Sequence, residues 1–395
     1  MTSPPMTTET ASAALSCQRA QFRLPRDVHW LNCAYLSPLA RSVEETGVHA
    51  IGRKAVPTEI GPEDFFRDST RLRQRFARLI HAPDAERVAI LPSVSYGVAT
   101  CARNVDLGSG RNVVVMHEQF PGNVYSWRSL CQRHGAELRV VRPAATGPRG
   151  PEWTARSLDA IDANTAVVAM GTVHWTDGTR FDLDAIGARA RDVGAAFILD
   201  GTQSIGALPF DVERIRPDAV IAAGYKWLMG PYSTGLAWYG PRFDGGQPLE
   251  ETWIARKGSE NFSGLVDYVD DYAPGAVRYD VGERSNFILV PMLSAALDLV
   301  LEWTPERIQD YCASLTRELL AVAEERGWAV EDRAWRGEHL FGLRAPAGVD
   351  LDGVTSTLSR AGVYVSRRGS ALRISPHVYN DAEDVAALTQ VLRES

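Results

Sequence analysis

The sequence lacks several features that would indicate common classes of protein. Its five cysteines, in 395 residues, form an odd and widely spaced set without a CxxC pair, which indicates neither a disulfide framework nor a zinc site. No run of about eighteen apolar residues is present, so we expect no membrane span. Residues 1–20 contain no apolar stretch of the kind found in secretory signals. The cysteine usage fits a reducing, cytoplasmic setting best.

Nucleotide-binding signatures and basic runs are also missing. The sequence has neither a GxGxxG after its first strand nor a GxxxxGK[ST] loop, which argues against a nucleotide-binding α/β protein. The net charge of −7 and the absence of a basic, aromatic stripe argue against a nucleic-acid partner. What remains is the composition of a globular protein, 45% hydrophobic and 23% charged, in a chain long enough for two domains.

The stretch around which the rest is organised runs from residue 195 to residue 239. It contains two short apolar runs, one ending at Asp200 and the other followed by Lys226, and each run predicts a buried parallel strand. Ligands of open α/β sheets bind at the carboxyl ends of such strands. The pattern therefore delivers a carboxylate and an amine to one edge of a sheet, as either a surface ion pair or a catalytic pair.

An amine nucleophile beside a carboxylate suits Schiff-base chemistry on pyridoxal 5′-phosphate. The amine of Lys226 would form a Schiff base with the cofactor aldehyde. The carboxylate of Asp200 would keep the pyridine nitrogen protonated, so that the ring accepts the electrons of a carbanion. Gln203 and the aromatic-rich Gly-Pro loop after the lysine favour this interpretation over a surface ion pair.

These two segments, Asp-Gly-Thr-Gln-Ser at 200–204 and Gly-Tyr-Lys-Trp-Leu-Met-Gly-Pro at 224–231, resemble the class V aminotransferase family. That family has the fold type I architecture of pyridoxal-phosphate enzymes. It includes cysteine desulfurases, isopenicillin N epimerase-like proteins, C–S lyases and some transaminases. The resemblance extends from about residue 31 to about residue 392. It implies an α/β protein with a mostly parallel seven-stranded sheet in a large domain, followed by a smaller C-terminal α/β domain.

We accordingly expect an N-terminal tail or arm over 1–30, a large cofactor-binding domain over 31–287 and a small domain over 288–395. Two predicted helices, over 291–303 and 305–326, would open the small domain. Residues 142–152, rich in Pro, Gly and Ala, predict a loop. Residues 380–383 predict a capping box for the last helix, with Asn380 as its first residue.

A phosphate site is expected where a strand over 87–91 meets a turn of small residues and the start of a helix. Free N–H groups and the positive end of the helix dipole favour an anion there. In the family the matching turn holds the cofactor phosphate, so the resemblance assigns this role to Ser93, Val94 and Ser95. Tyr225, next to the lysine, would add a hydroxyl donor.

The resemblance also implies a homodimer in which a turn of one subunit touches the cofactor phosphate of the other. The family places a Gly-Thr-like turn at this position, and this chain has Gly282 followed by Glu283. A carboxylate beside a phosphate dianion is unfavourable. Arg284 or Ser285 would therefore have to make the contact.

Further roles around the cofactor follow from the resemblance. Phe120 would stack on the pyridine ring, the alternative being a core phenylalanine, and Gln203 would hydrogen-bond the phenolic oxygen. Trp175 occupies the position of a family asparagine near that oxygen and the substrate. Asn32 and Tyr35 lie in the segment near the substrate entrance, where an ordinary turn is the alternative.

Arg373 matches a family arginine that binds the substrate α-carboxylate, which suits a guanidinium because the two groups pair in a bidentate way. A salt bridge at the edge of a strand is the alternative. His174 is either a proton carrier or a structural histidine. Cysteine desulfurases need a sulfur-accepting cysteine just before the arginine strand, and residues 365–370 contain none. A persulfide-carrying desulfurase is therefore not expected.

The sequence thus predicts a homodimeric pyridoxal-phosphate enzyme that acts at the α-carbon of a small amino acid, with Lys226 as general base. Aminotransferase-type chemistry is favoured. Cleavage of a C–S bond by β-elimination and epimerisation remain open, because all three begin by removing the α-proton. A cofactor-binding family member without turnover is a further alternative. No metal, nucleic acid or membrane partner is expected.

Overall fold

The computed structural model describes residues 14–144 and 149–394. Residues 1–13 of the predicted N-terminal tail and residues 145–148 of the predicted loop lie outside this part of the chain. The described strands are β1 (His29–Trp30), β2 (Val88–Leu91), β3 (Asn112–Met116), β4 (Glu137–Val141), β5 (Thr165–Gly171), β6 (Ala196–Asp200), β7 (Ala219–Ala223), β8 (Gly235–Tyr239), β9 (Phe341–Arg344), β10 (Val363–Tyr364), β11 (Ser366–Arg368) and β12 (Ala371–Ile374). The described helices are α1 (Arg41–Ala55), α2 (Asp64–Leu79), α3 (Val94–Arg103), α4 (Tyr125–His134), α5 (Arg149–Ala160), α6 (Leu183–Asp192), α7 (Val212–Ile215), α8 (Leu289–Trp303), α9 (Pro305–Glu325), α10 (Leu351–Arg360) and α11 (Ala382–Glu394).

A seven-stranded sheet in the order β2-β8-β7-β6-β5-β3-β4 forms the centre of the described chain. Strands β3 to β7 pair in parallel, whereas β8 runs antiparallel to both of its neighbours. After β4 the chain crosses to the other side of β3 and continues with β5, so the direction of winding reverses there. Ligands bind at the carboxyl edge beside such a reversal. The predicted fold class is confirmed.

Both faces of the central sheet are buried. Along β3, Val114 and Met116 pack into one hydrophobic core while Val113 and Val115 pack into another. Helices α3 and α4 contribute to the second core, and α2, α5, α6 and α8 contribute to the first. Burial on both sides explains why these strands read as continuous apolar runs and not as alternating ones.

The C-terminal part contains a three-stranded antiparallel sheet, β11-β12-β9, with its own hydrophobic core. Strand β1 pairs in parallel with β10, and the Arg19 guanidinium forms a buried ion pair with Asp384 of α11 at 2.8 Å. The chain before the central sheet is thus joined to the last helix. The division into domains at 287/288 stays a prediction.

Two local predictions are wrong. The loop expected over 142–152 ends early, because α5 already begins at Arg149. The cap of the last helix is Asp381 and not Asn380: the Asp381 carboxylate accepts the N–H groups of Glu383 and Asp384. The Asn380 amide instead donates to the carbonyl of Trp30 at 3.1 Å. Among the described helices, none combines the length and apolar character needed to cross a bilayer.

Candidate active site

A cavity lies at the carboxyl edge of the central sheet. Its walls come from the segments that follow β2, β3, β5, β6 and β7, together with the loop that precedes β8. The predicted site residues that line it are Ser93, Val94, Ser95, Phe120, Trp175, Asp200, Gln203, Tyr225 and Lys226. Segments distant in sequence meet here because adjacent strands of the sheet end at the same edge.

Lys226 and Asp200 face this cavity from neighbouring strand ends. The Lys226 side chain is buried, and its pKa falls from 10.5 to about 8 because burial and the nearby Arg373 disfavour the ammonium form. Burial raises the pKa of Asp200, against the opposing effects of its hydrogen bonds to Thr202 and of Lys226. Each group lies close enough to the other to influence its pKa. The lowered pKa leaves more of the Lys226 amine unprotonated at neutral pH than an exposed lysine would have, and the unprotonated amine is the nucleophilic form.

The loop that carries Lys226 is held by its neighbours. The indole N–H of Trp227 donates to the side-chain oxygen of Gln203 at 3.1 Å, and the Gln203 amide donates to the carbonyl of Ala34 at 3.1 Å. Gly206 has a φ of +107°, and a Cβ there would collide with the carbonyl of Trp227. A glycine at 206 therefore allows the segment after Asp200 to approach the lysine loop closely.

The start of α3 forms one end of the cavity. The Ser93 hydroxyl oxygen accepts the N–H of Tyr96 at 3.2 Å, so Ser93 caps the helix. First-turn N–H groups such as those of Val94 and Ser95 have no partner within a helix. Together with the helix dipole they favour an anion. Tyr225 lines the same cavity, and burial raises the pKa of its hydroxyl.

The aromatic rings of Phe120 and Tyr225 lie near the Lys226 amine. Phe120 is 43% exposed, and its ring centre lies 5.5 Å from the Lys226 Nζ. The ring meets Trp175 edge-on with 5.5 Å between centroids. Phe120 is therefore a residue of the cavity mouth and not of the core, so its face is available to a planar ligand.

Both ring nitrogens of His174 lie within hydrogen-bonding distance of neighbouring groups. One ring nitrogen lies 3.0 Å from the carbonyl oxygen of His117 and the other 2.7 Å from the Thr176 hydroxyl. Burial lowers its pKa. Because both ring nitrogens are occupied, the structural role considered for this histidine fits better than that of a proton carrier.

Arg373 borders the cavity without lining it. Its side chain is 1% exposed and donates to the carbonyl of Trp175 at 2.9 Å and to the hydroxyl of Ser366 at 3.3 Å. Ser366 in turn donates to the side-chain oxygen of Asn32 at 2.9 Å. Within 14–144 and 149–394, no carboxylate pairs with Arg373, and its Nε is buried without a partner. The strand-edge salt bridge considered for this arginine is therefore absent from the described chain, and Asn32 reaches the site only through Ser366.

Tyr35 and Ser285 lie outside the cavity. Tyr35 is 58% exposed and close enough to Tyr225 to contribute to the raised pKa of that residue. The Ser285 hydroxyl donates to the carbonyl of Phe65 and lines a separate recess together with Glu283. The neighbouring Arg284 is buried in an ion pair with Asp280 at 2.8 Å. Ser285 therefore does not line the cavity that contains Lys226.

Sequence reasoning missed several cavity residues. Thr202 donates its backbone N–H to Asp200 at 3.0 Å, and Tyr232 packs on Tyr225 with ring centroids 4.5 Å apart. Thr202 stands inside the motif that carried the resemblance, so its position was a usable signal. Arg368 was also missed, although it lies close enough to lower the pKa of Lys226.

Comparison with known proteins assigns the chain to a family. The family model for class V aminotransferases matches residues 63–388. The chain belongs to the class V aminotransferase family. Members of this family are pyridoxal-phosphate enzymes, which confirms the expected class of enzyme and its cofactor.

Relatives of this chain carry different names. An uncharacterized aminotransferase of Bacillus subtilis is 26% identical over 79% of the chain and 80% of that protein. The isopenicillin N epimerase of Streptomyces clavuligerus is 27% identical over 81% of the chain and 82% of its own length. The cysteine desulfurase structure from Thermococcus onnurineus matches with a TM-score of 0.79 at 18% identity, over 97% of the chain and 98% of that structure, and shows the shared fold.

The cavity fits the functional groups of pyridoxal 5′-phosphate. Lys226 offers an amine for the aldehyde and Asp200 a carboxylate for the ring nitrogen. Burial of that carboxylate disfavours its charge, and a protonated pyridine nitrogen beside it would offset the cost. The start of α3 offers N–H groups and the Ser93 hydroxyl for the phosphate. No cluster of three or more metal-ligating side chains occurs in the part of the chain that the structure describes.

Proposed function

We propose that this class V aminotransferase family member removes the α-proton of a small amino acid and carries out aminotransferase-type chemistry. The observation that carries the proposal is the buried amine of Lys226, whose pKa of about 8 lies close to physiological pH, in a cavity shared with Asp200. A general base works best when its pKa is near the working pH. When bound, the cofactor supplies a ring that accepts electrons from the substrate.

Three buried residues of the chain have distinct roles in this proposal. Lys226 would take the proton from the α-carbon and would later donate it at a second carbon, because return to the α-carbon would only regenerate or epimerise the amino acid. Arg373 binds the α-carboxylate with its unpartnered Nε edge. Gln203 uses one amide hydrogen on Ala34, so its second amide hydrogen is left for the phenolic oxygen of the cofactor. Each of these groups is buried, which strengthens its electrostatic interactions.

The phosphate group of the cofactor would bind at the start of α3. The Ser93 hydroxyl accepts a hydrogen bond from Tyr96 and keeps its own proton free to donate. The backbone N–H groups of Val94 and Ser95 and the hydroxyl of Tyr225 complete the set. Phe120, at the cavity mouth, packs against the ring of the cofactor.

The absence of a suitable thiol supports chemistry other than persulfide transfer. Residues 365–370 contain no cysteine. Cys33 lies near enough to Lys226 to affect its pKa, but it is fully buried and burial raises its own pKa to about 12. A protonated, buried thiol is a poor sulfur acceptor.

All five cysteines are unpaired, which supports the proposed cytoplasmic setting.

We further propose a homodimer with shared active sites. Among the described residues, the cavity is lined by no lysine or arginine other than Lys226 that could balance a phosphate dianion. The recess that contains Ser285 adjoins an exposed apolar loop at 265–269, because Trp253 borders both. Val266 is 79% and Tyr268 95% exposed, and apolar groups so exposed favour contact with another protein surface. A second copy of the chain would cover this loop and bring its own Ser285 to the partner's cofactor.

The test is to incubate the cofactor-loaded enzyme with a panel of amino acids in deuterium oxide and to identify the products. Aminotransferase chemistry yields a keto acid and the amine form of the cofactor. Pyruvate with sulfide would indicate a C–S lyase, and α-deuterium with inverted configuration would indicate an epimerase. A cofactor-bound protein that yields none of these products would be a family member without turnover.

A further inference from the structure

Arg368 is a second guanidinium beside the substrate end of the active site. It lies on β11, which forms a hairpin with the strand β12 that carries Arg373. Its guanidinium carbon lies 5.1 Å from the centre of the Trp175 ring, and its Nε is buried without a partner. Its charge also contributes to the lowered pKa of both Lys226 and Arg373. Arg368 thus acts electrostatically on two residues of the site.

Trp175 fixes both guanidinium groups. Its backbone carbonyl accepts a hydrogen bond from Arg373 at 2.9 Å, and the Arg368 guanidinium lies over one face of its ring. The indole N–H donates to the carbonyl of Glu118 at 2.6 Å, which holds the ring in place. One anchored residue therefore sets the relative position of the two arginines.

The two arginines leave positive charge without a counterpart. Within the described ranges, neither Arg368 nor Arg373 lies within 4.0 Å of a carboxylate oxygen. Asp200 is the acidic residue that lines the cavity in this part of the chain, and its role toward the cofactor ring leaves it unavailable. Cations that are partly buried and unpaired are costly, and a charged ligand that pairs with them recovers that cost.

The neighbouring arginine shows the contrast. Arg367 points to the other side of the same strand and pairs with Asp352 at the surface. Successive residues of a strand face opposite sides, so the Arg-Arg pair sends one guanidinium outward and one toward the site. Arg367 is therefore a matched control for Arg368.

We propose that Arg368 binds a carboxylate at the end of the substrate side chain while Arg373 binds the α-carboxylate, so that the substrate is an acidic amino acid. This inference rests on the proposed function, because it requires an amino acid in the Lys226 cavity. Arg368 is thereby the residue that distinguishes acidic substrates from their amides.

The experiment titrates the cofactor-loaded enzyme with L-glutamate and L-aspartate and with the matched amides L-glutamine and L-asparagine. Changes in the visible absorbance of the bound cofactor give a Kd for each. We expect at least one acid to bind about tenfold or more tightly than its amide, as a charge-assisted hydrogen bond implies. R368Q should keep the visible band and reduce the ratio to about twofold or less, whereas R367Q should keep the ratio.

Equal affinities for acids and amides in the unmodified enzyme would overturn the inference, as would an undiminished preference in R368Q. A second measurement needs no variant: the dicarboxylate that matches the preferred acid, glutarate for L-glutamate or succinate for L-aspartate, should displace that acid about tenfold better than the matching monocarboxylate, butyrate or propionate. Equal displacement would also overturn the inference. A cofactor-loaded enzyme that responds to no amino acid at all would instead overturn the proposed function, and the assignment of Arg368 with it.

Discussion

At the scale of single residues, the burial that makes the Lys226 amine reactive also lowers the free energy of unfolding of the apoprotein. Its amine is buried, and the pKa of about 8 means that the ammonium form is less stable in the folded chain than in water. Below pH 8 the apoprotein folds with this charge in place. Between pH 8 and 10.5 the unfolded chain still holds the proton while the folded chain does not, so stability rises with pH in that window.

We therefore predict that Lys226→Met makes the apoprotein more stable at pH 7, by about 2–3 kcal/mol, because a pKa difference of one unit corresponds to about 1.4 kcal/mol. The gain should shrink as pH rises from 8 toward 10.5. Urea unfolding at several pH values measures it. Lys257→Met, at an exposed position, should change the free energy of unfolding by less than about 0.5 kcal/mol. A destabilised Lys226→Met would contradict the account.

Sequence reasoning identified Lys226, Asp200 and the start of α3 because each stands in a short local pattern. It did not identify Arg368, whose proposed function depends on which side of a hairpin its guanidinium faces. It also had no means to see that Asn32 acts on Arg373 through Ser366, because that contact joins residues 334 positions apart. Local patterns predict which groups reach the edge of the sheet, but not which distant groups surround them.

At the scale of elements, the close contact between the segment after β6 and the lysine loop depends on Gly206. Its φ of +107° is outside the range that other residues adopt readily, and the carbonyl of Trp227 occupies the space of a Cβ. Met229 and Ser233 have positive φ values of 57° and 63° in the same loop. Such unfavourable conformations cluster at functional sites and persist where packing enforces them.

We predict that Gly206→Ala lowers the free energy of unfolding by about 3 kcal/mol or more and weakens cofactor binding at least about tenfold, since it forces the lysine loop to move. Gly194→Ala is the matched control: its φ is +73°, but its Cβ would meet open space. That change should cost only about 1–2 kcal/mol and leave the cofactor affinity unaltered. Urea unfolding and absorbance titration measure both quantities. Similar losses in the two variants would refute the steric explanation.

Most strands were predictable as elements because burial on both faces makes them uninterrupted apolar runs. The strand β8 was not, because it is the antiparallel member of a parallel sheet and gives no βαβ signal.

Helix α1 was also missed. It contains Gly47 and Gly52, and Gly47 is buried against Met292 of α8, where a larger side chain would collide. Close packing against a distant helix, and not helix propensity, selects such a sequence.

At the scale of the whole molecule, Asp177 connects helix α5, beside the central sheet, with the C-terminal three-stranded sheet. Its buried carboxylate pairs with Arg149 of α5 at 2.6 Å and with Arg344 of β9 at 2.7 Å. Despite burial, its pKa falls to about 2, because His174 and both arginines stabilise the charged form. The group therefore stabilises the fold above pH 4, and that contribution is lost as pH falls through about 2.

Asp177→Asn should destabilise the protein by about 2–4 kcal/mol at pH 7, because it leaves two partly buried arginines without a carboxylate. The loss should diminish in unfolding experiments below pH 4. Asp162→Asn serves as control: its pKa is also about 2, but its carboxylate is largely exposed, so we expect a much smaller effect. Equal effects at the two positions would show that burial of the pair does not matter.

The proposed dimer predicts that its apolar loop controls assembly. The double variant V266D/Y268D should sediment as a monomer at micromolar concentration, where the unmodified chain sediments as a dimer, because charge on a buried apolar contact is strongly unfavourable. Its cofactor affinity should fall as well. Val140→Asp, on the edge strand β4, places a charge on another exposed apolar residue and should leave the dimer intact. An unmodified protein that sediments as a monomer would refute the dimer.

The central claim is that one buried amine holds the cofactor. Besides Lys226, the chain contains only Lys54 and Lys257, so the site of attachment can be determined without ambiguity. The most direct measurement is borohydride reduction of the cofactor-loaded protein, followed by digestion and mass spectrometry. The account predicts a pyridoxyl group on the peptide that contains Lys226, and a colourless, unlabelled Lys226→Ala variant. Label on Lys54 or Lys257, or none on any lysine of a coloured protein, would contradict it.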